Sequence, residues 1–202
     1  MFSDRLIVGG VFAAGLAVLG YVAFGPFVTP VMAQEDGPGP NLIIDVAGEA
    51  NGQVVIDLAS DAAPNHVAQI VALAKQGQYD NVVFHRVIDG FMAQTGDVQF
   101  GKAQGDLSMA GMGGSSLADL GAEFSSLSFD RGVVGMARSA DPNSANSQFF
   151  IMFAPAPHLD GQYTVVGRVI AGMDVVDAIK RGQGRNGEVS EPDVMVKVTV
   201  QE

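Results

Sequence analysis

The sequence predicts a mainly β domain: short strands folded into a closed antiparallel barrel, with two α-helices capping its open ends. Two observations and one physical rule predict it. From residue 41 onward, apolar runs of strand length recur, separated by turn-forming Gly, Asn, Asp and Pro. Only two stretches carry a helical pattern, and they lie far apart in the chain. Many short strands left as an open sheet expose unpaired edges, and closure removes them.

The elements follow in order. "NLIIDVA" (41–47) and "GQVVIDLA" (52–59) flank "GEAN", a turn containing Asn51-Gly52, and predict a hairpin. In "APNHVAQIVALAKQG" the residues Val67, Ile70, Val71 and Ala74 repeat at one-face spacing, Pro64 marks the first turn and Gly77 the end. His66 falls on the side of that helix expected to face solvent. Strands are expected at 82–88, 91–97, 132–138, 147–153 and 164–169, and a second helix at "MDVVDAIK" (173–180). "VMVKVTV" (194–200) alternates, which puts Val194, Val196, Val198 and Val200 on one face. The Gly- and Ser-rich stretch 98–130 reads as loop, and no internal repeat is visible. Phe84, Val87, Ile151 and Phe153 are the side chains expected to fill the barrel.

The first 40 residues stand apart from this domain, which spans 41–202. No charged residue lies between Arg5 and Glu35, and the run 6–25 is apolar and small. Val31 and Ala33 are small residues at the −3 and −1 positions of a signal-peptidase site before Gln34. Residues 1–33 therefore read as a cleavable export signal, with an uncleaved membrane anchor as the alternative, since roughly 20 apolar residues suffice to span a bilayer. Either reading places the domain outside the cytoplasm, most simply in a bacterial periplasm, and confines membrane contact to 6–25. Residues 34–40 read as a flexible linker.

Composition removes several functions. The chain has 202 residues and a net charge of −11, from 22 acidic and 11 basic side chains, which argues against an electrostatic grip on nucleic acid or anionic lipid. It has no cysteine, hence no disulfide and no thiol nucleophile. His66, His85 and His158 show no metal-ligand spacing. "GMGGSS" (111–116) lacks the lysine of a phosphate loop, and there is no G-x-S-x-G elbow. No cofactor or metal is expected. What remains is Arg86, Phe91, Met92, Gln94, Gln148 and Phe150 on neighbouring strands. By pattern alone these are as well explained by aromatic and Met side chains filling a barrel, with Arg and Gln outside.

Three blocks decide more. "FHRVIDGFMAQTGD" (84–97), "GVVGMARSADPNSANSQFFI" (132–151) and "LDGQYTVVGRVIAGMDVVDAIK" (159–180) together resemble a cyclophilin-type peptidyl-prolyl isomerase of bacterial style, over about 41–202. The resemblance implies an eight-stranded antiparallel barrel capped by two helices, with the active site in a groove on its outside. It implies Arg86 as the catalytic residue. It places Phe91, Met92, Gln94, Ala137, the backbone of Arg138, Gln148, Phe150 and Leu159 in the substrate groove, with Tyr163 either there or in packing. Partners would be unfolded or partly folded proteins with X-Pro bonds.

The implied chemistry needs neither nucleophile nor metal. Rotation about an X-Pro amide faces a barrier of ~18–20 kcal/mol from C–N double-bond character. In the twisted amide the proline nitrogen regains a lone pair, to which an arginine can donate. An interaction made only in that state lowers the barrier. The chain departs from the family where His158 stands for a common Trp, Arg138 for a common Asn and Tyr163 for a common His. His158 predicts weak cyclosporin binding. The Gly loop of the family corresponds to "GMGG", with Gly111 a lesser site candidate. His85 reads as a hydrogen-bonded structural residue rather than a general base, and "DPNSANS" (141–147) as a turn-rich loop bordering the site. A proline-peptide binding module or chaperone without turnover is the alternative function, against which Arg86 argues. A β-barrel carrier is a third, which a filled interior would count against.

Overall fold

The computed structural model describes residues 35–202. The export signal or anchor, the apolar run 6–25 and the cleavage point before Gln34 lie outside the described residues. Among these residues no helix is long and apolar enough to cross a membrane.

Nine strands form one curled, wholly antiparallel sheet, a half-barrel in the order β3-β9-β1-β2-β8-β6-β7-β5-β4. They are β1 (Asn41–Ala47), β2 (Gly52–Leu58), β3 (Val82–Val83), β4 (Arg86–Ile88), β5 (Met92–Thr95), β6 (Val133–Met136), β7 (Phe149–Met152), β8 (Val165–Ala171) and β9 (Val194–Gln201). Helix α1 spans Pro64–Lys75 and the single-turn-and-a-half α2 spans Met173–Ala178. The region 98–130 is loop apart from a short 3-10 turn at Leu107–Met109.

The closed eight-stranded barrel is corrected by this order. The run 82–88, expected as one strand, breaks at Phe84 and His85 into β3 and β4, which occupy the two ends of the sheet. The break arises because the backbone bonds of this run go to loops: Val83 N–H donates to Gly101 O, Phe84 N–H to Asp193 O, and Val87 N–H to Gly187 O. β3 then pairs with β9 and β4 with β5, and no ladder joins the two ends.

Two further expectations fail because of partners distant in sequence. In β9, Asp45 of β1 faces Lys197 while Val46 faces Met195, so Val196 is an unpaired extra residue, a β-bulge. The bulge shifts the period by one. Met195 and Val198 are buried and Val196 is 44% exposed, in place of four valines on one face. His66 is fully buried, against the exposed position expected. Its Nδ1 donates to Glu123 Oε2 at 2.5 Å. Glu123 also accepts the N–H groups of Asn65 and His66, supplying from a distant loop the N-terminal cap that Ala63 cannot.

The interior is apolar and filled. Phe84, Val87, Ile151 and Phe153 all lie in the main buried cluster, with Val67, Ile70, Leu73 and Ala74 of α1 packed into it. This filling removes the basis for a small-ligand carrier.

Candidate active site

A second apolar cluster lies on the other side of β5, β7 and β6, and the strand period explains it. In β7, Phe149 and Ile151 point to the main core, while Phe150 and Met152 point away from it. In β5, Ala93 joins the core and Met92 the outer cluster. Residues paired across antiparallel strands share a face. The pairs Arg86↔Gln94, Gln94↔Phe150 and Gly135↔Phe150 therefore set Arg86, Gln94, Phe150 and Gly135 in one row across β4, β5, β7 and β6.

Arg86, Gln94 and Phe150 of that row, with Phe91, Met92, Ala137, Arg138, Leu159 and Tyr163, line a pocket of about 170 Å³. Phe150 is held from below by a stacked Phe129, centroids 5.8 Å apart, and from the side by Tyr163 edge-on at 5.9 Å. Gly135 makes the stack possible: a Cβ there would lie 2.6 Å from both Phe129 Cε1 and Phe150 Cζ. A second cavity of about 330 Å³ adjoins the first through Gln94, Ala137 and Arg138, and continues along Gly111, Met112, Gly113, Asn146 and Gln148.

The polar side chains form one chain of hydrogen bonds. Arg86 Nη1 donates to Gln94 Oε1 at 3.1 Å and Arg86 Nε donates to Asn186 O at 2.9 Å. Gln94 Nε2 donates to Gln148 Oε1 at 2.9 Å, and Gln148 Nε2 donates to Gly111 O and Gly113 O. The direction is forced. A guanidinium can only donate and the loop carbonyls can only accept, so both amides between them have one possible orientation. Partial burial lowers the Arg86 pKa from its usual value, with Tyr163 opposing, and the group remains charged at any working pH. The far end of the chain is fixed by buried Asp97, whose carboxylate accepts N–H groups from Gln99, Phe100, Gly111 and Gly113.

The residues singled out from sequence sort cleanly. Nine of them line the smaller pocket, Gln148 lines the larger one with Gly111, and His158 lines neither. His158 is exposed and stacks on Phe91, centroids 5.9 Å apart. Arg138 contributes its side chain as well as its backbone. The guanidinium lies 4.3 Å over the Tyr163 ring and donates to Ser139 O and Gln162 O, so it forms groove wall between the two cavities. His85 is buried against Gly111, and burial pushes its pKa down, with the nearby Asp97 carboxylate opposing. The hydrogen bonds expected of it are not made: packing on Gly111 leaves neither ring nitrogen with a partner of good geometry. Asp97, Phe129, Gly135 and Met112 were not singled out; only the acidic end of the "QTGD" run hinted at the first.

The arrangement is a guanidinium held by Gln94 and Asn186 beside an apolar pocket. The comparisons give the family. Residues 43–200 match the family model for the cyclophilin type peptidyl-prolyl cis-trans isomerase. A probable peptidyl-prolyl cis-trans isomerase of Brucella suis is 57% identical over 154 residues, covering 75% of this chain and 79% of the relative. The crystal structure of a cyclophilin from Hirschia baltica superposes with a TM-score of 0.67 at 28% identity, over 81% of this chain and 74% of that one. A Cryptosporidium parvum cyclophilin-type isomerase, solved in the presence of the dipeptide Ala-Pro, gives 0.69 at 25% identity, over 80% and 99%. The chain belongs to the cyclophilin-type peptidyl-prolyl cis-trans isomerase family. It is an isomerase.

Proposed function

We propose that this isomerase accelerates X-Pro bond rotation in unfolded or partly folded exported proteins, and that Arg86 lowers the barrier. The observation that carries the reading is the placement of one guanidinium, fixed at Nε and Nη1, in the same pocket as Phe91, Met92, Phe150 and Leu159. The apolar side chains take up the proline ring by burial, worth about 1.5–3 kcal/mol for a side chain of that size. Gln94 and the backbone at Arg138 hold the carbonyl side. As the amide twists, conjugation is lost and the nitrogen becomes a hydrogen-bond acceptor. Arg86 donates to it, and this bond exists only in the twisted state. Each tenfold of rate needs about 1.4 kcal/mol, so a single charge-assisted bond supplies one to two decades.

The domain is read as residues 41–202 behind a signal or anchor over 1–33 and a linker over 34–40, which places the activity outside the cytoplasm. The test is a prolyl-isomerisation assay. Arg86→Ala loses most turnover while the circular dichroism spectrum is unchanged. Arg86→Lys also loses much, because a point charge on a flexible stem replaces a fork oriented by Gln94 and Asn186. Turnover near that of the wild type in a well-folded Arg86→Ala protein sinks the mechanism.

A further inference from the structure

The stretch "RGQGRNGEVS" (181–190) has three glycines and one large apolar residue, Val189, so its own burial does little to fix it. It nevertheless carries the carbonyl that holds Arg86. β4 is an end strand of the sheet, and its one ladder is with β5. Along its other side residues 182–189 run as a strap. Gly182 N–H donates to Val87 O, Val87 N–H to Gly187 O, and Val189 N–H to His85 O. Between these bonds Asn186 O accepts from Arg86 Nε at 2.9 Å. The strap closes on itself where Gln183 N–H donates to Glu188 O. Residues 183–186 are exposed, so the position of Asn186 is inherited from the ends of the strap.

Arg181 stands at the first of those ends. Its guanidinium carbon lies 4.0 Å from the ring centroid of Phe153, Nη1 donates to Ile179 O, and Nε donates to Asp89 Oδ1 at 3.0 Å. Asp89 is 83% exposed, so that ion pair is weak. Phe153 is buried in the main core, and a guanidinium over a ring face is attracted by it. Phe153 is therefore the rigid base, Arg181 the link, and the strap the part that is held. Arg181 lines neither groove cavity.

We propose that Arg181 is a positioning residue for isomerisation: stacked on Phe153, it anchors the strap whose Asn186 carbonyl orients Arg86. The proposal rests on the role of Arg86 given above. Two bonds fix that guanidinium, one at Nε and one at Nη1. With the strap displaced, the bond to Gln94 remains and the group pivots about it. The twisted amide then meets a donor that is charged but misaimed. Misplacement of a reacting group by about 1 Å costs up to about a hundredfold. Met92, Phe150 and Leu159 of the apolar pocket sit on β5, β7 and the turn Pro157–Leu159. Among the described residues, none of these elements hydrogen-bonds to the strap, so uptake of the proline ring is spared.

Prolyl-isomerisation kinetics on one X-Pro peptide test this. In Arg181→Ala kcat falls about tenfold, equivalent to about 1.4 kcal/mol, while KM stays within about twofold of the wild type. Arg181→Lys keeps a cation over the ring without the fork, and its kcat falls about fourfold. The decisive readout is a double-mutant cycle. In the Arg86→Ala background, with residual turnover read at high enzyme concentration, Arg181→Ala changes kcat by less than about twofold, because the group it positions is gone. A merely structural role lowers turnover equally in both backgrounds, and that result overturns the proposal. So does a wild-type kcat in a folded Arg181→Ala protein, or a loss carried by KM alone. If Arg181→Ala does not fold, Arg181→Lys carries the same cycle. Turnover near that of the wild type in Arg86→Ala rejects the role of Arg86 and the strap with it, whereas its loss beside an unaltered Arg181→Ala rejects the strap alone.

Discussion

Gly135→Ala tests whether the groove floor is as tightly built as its geometry says. The added methyl carbon would lie 2.6 Å from Phe129 Cε1, 2.6 Å from Phe150 Cζ and 3.0 Å from Phe129 Cζ. Comfortable carbon contacts are about 3.5–4.0 Å, so each ring must withdraw by roughly 1 Å. Phe129 is 1% exposed and has no room below, while Phe150 borders the open pocket. Phe150 therefore gives way and moves into the pocket space of about 170 Å³, which the proposed function assigns to the proline. Overpacking of this kind costs about 1–3 kcal/mol. In a chain of this size each kcal/mol lowers Tm by about 2–4 °C. The proline loses part of its pocket, so KM rises severalfold, with kcat changed less because Arg86 and Gln94 stay in place. Denaturant titration and peptide kinetics on the same preparation read both effects. Adding Phe129→Leu frees space beneath Phe150 and recovers part of KM. If Gly135→Ala leaves both stability and KM unaltered, the two rings do not rest on this glycine, and the account of the floor is wrong.

Three other outcomes are expected. Burial alone would raise the Glu123 pKa, but the bonds it accepts from His66 and Asn65 outweigh burial and hold it below the usual 4.5. Its contribution to stability is therefore full above that value and is lost as pH falls through the depressed one; the gap between wild type and Glu123→Ala, about 0.5–2 kcal/mol at neutral pH as for other lost helix caps, narrows only in acid. A gap that stays constant down to pH 2 to 3, below the usual carboxylate range, rejects the cap. His158 covers Phe91 with a small polar ring, so cyclosporin inhibits weakly and His158→Trp strengthens it by ~1–2 kcal/mol, about five- to thirtyfold in the inhibition constant; equal inhibition of both proteins shows that position 158 does not reach the drug. N-terminal sequencing of protein recovered from the envelope begins at Gln34; full-length protein that resists a carbonate wash identifies an anchor instead.

The legible part of this molecule was what repeats locally or sits in contiguous blocks. The hairpin at 41–58 and helix α1 carried their own periods and turn residues, and their boundaries lie within a residue or two of those expected. Arg86, Phe91, Met92 and Gln94 fall within nine residues and Gln148 and Phe150 within three, in blocks that carry the family resemblance, and it was the resemblance, not the spacing, that implied a groove. What was hidden depends on distant partners. Val196 looks like one of four equivalent valines until β1 sets the register and expels it. His66 looks like a surface residue until Glu123 arrives from a loop 57 residues away. The side chain of Arg138 has no visible purpose until the fold brings Tyr163 beneath it. Gly135 is an unremarkable strand glycine until two rings close over it.

Strand β9 occupies a peculiar place in time as well as in space. It lies between β3 and β1, so the final strand of the chain completes the pairing of both the first strand and the third. The β1–β2 hairpin can form early, but until Val194–Gln201 arrives its outer edge is a row of unpaired backbone groups, and β3 has no ladder at all. Contacts that span nearly the whole sequence form late, because the loop they close is long. Until β9 has been made and has paired, that edge stays open. An isomerase with this strand order is itself exposed to mispairing for as long as β9 is missing from the sheet.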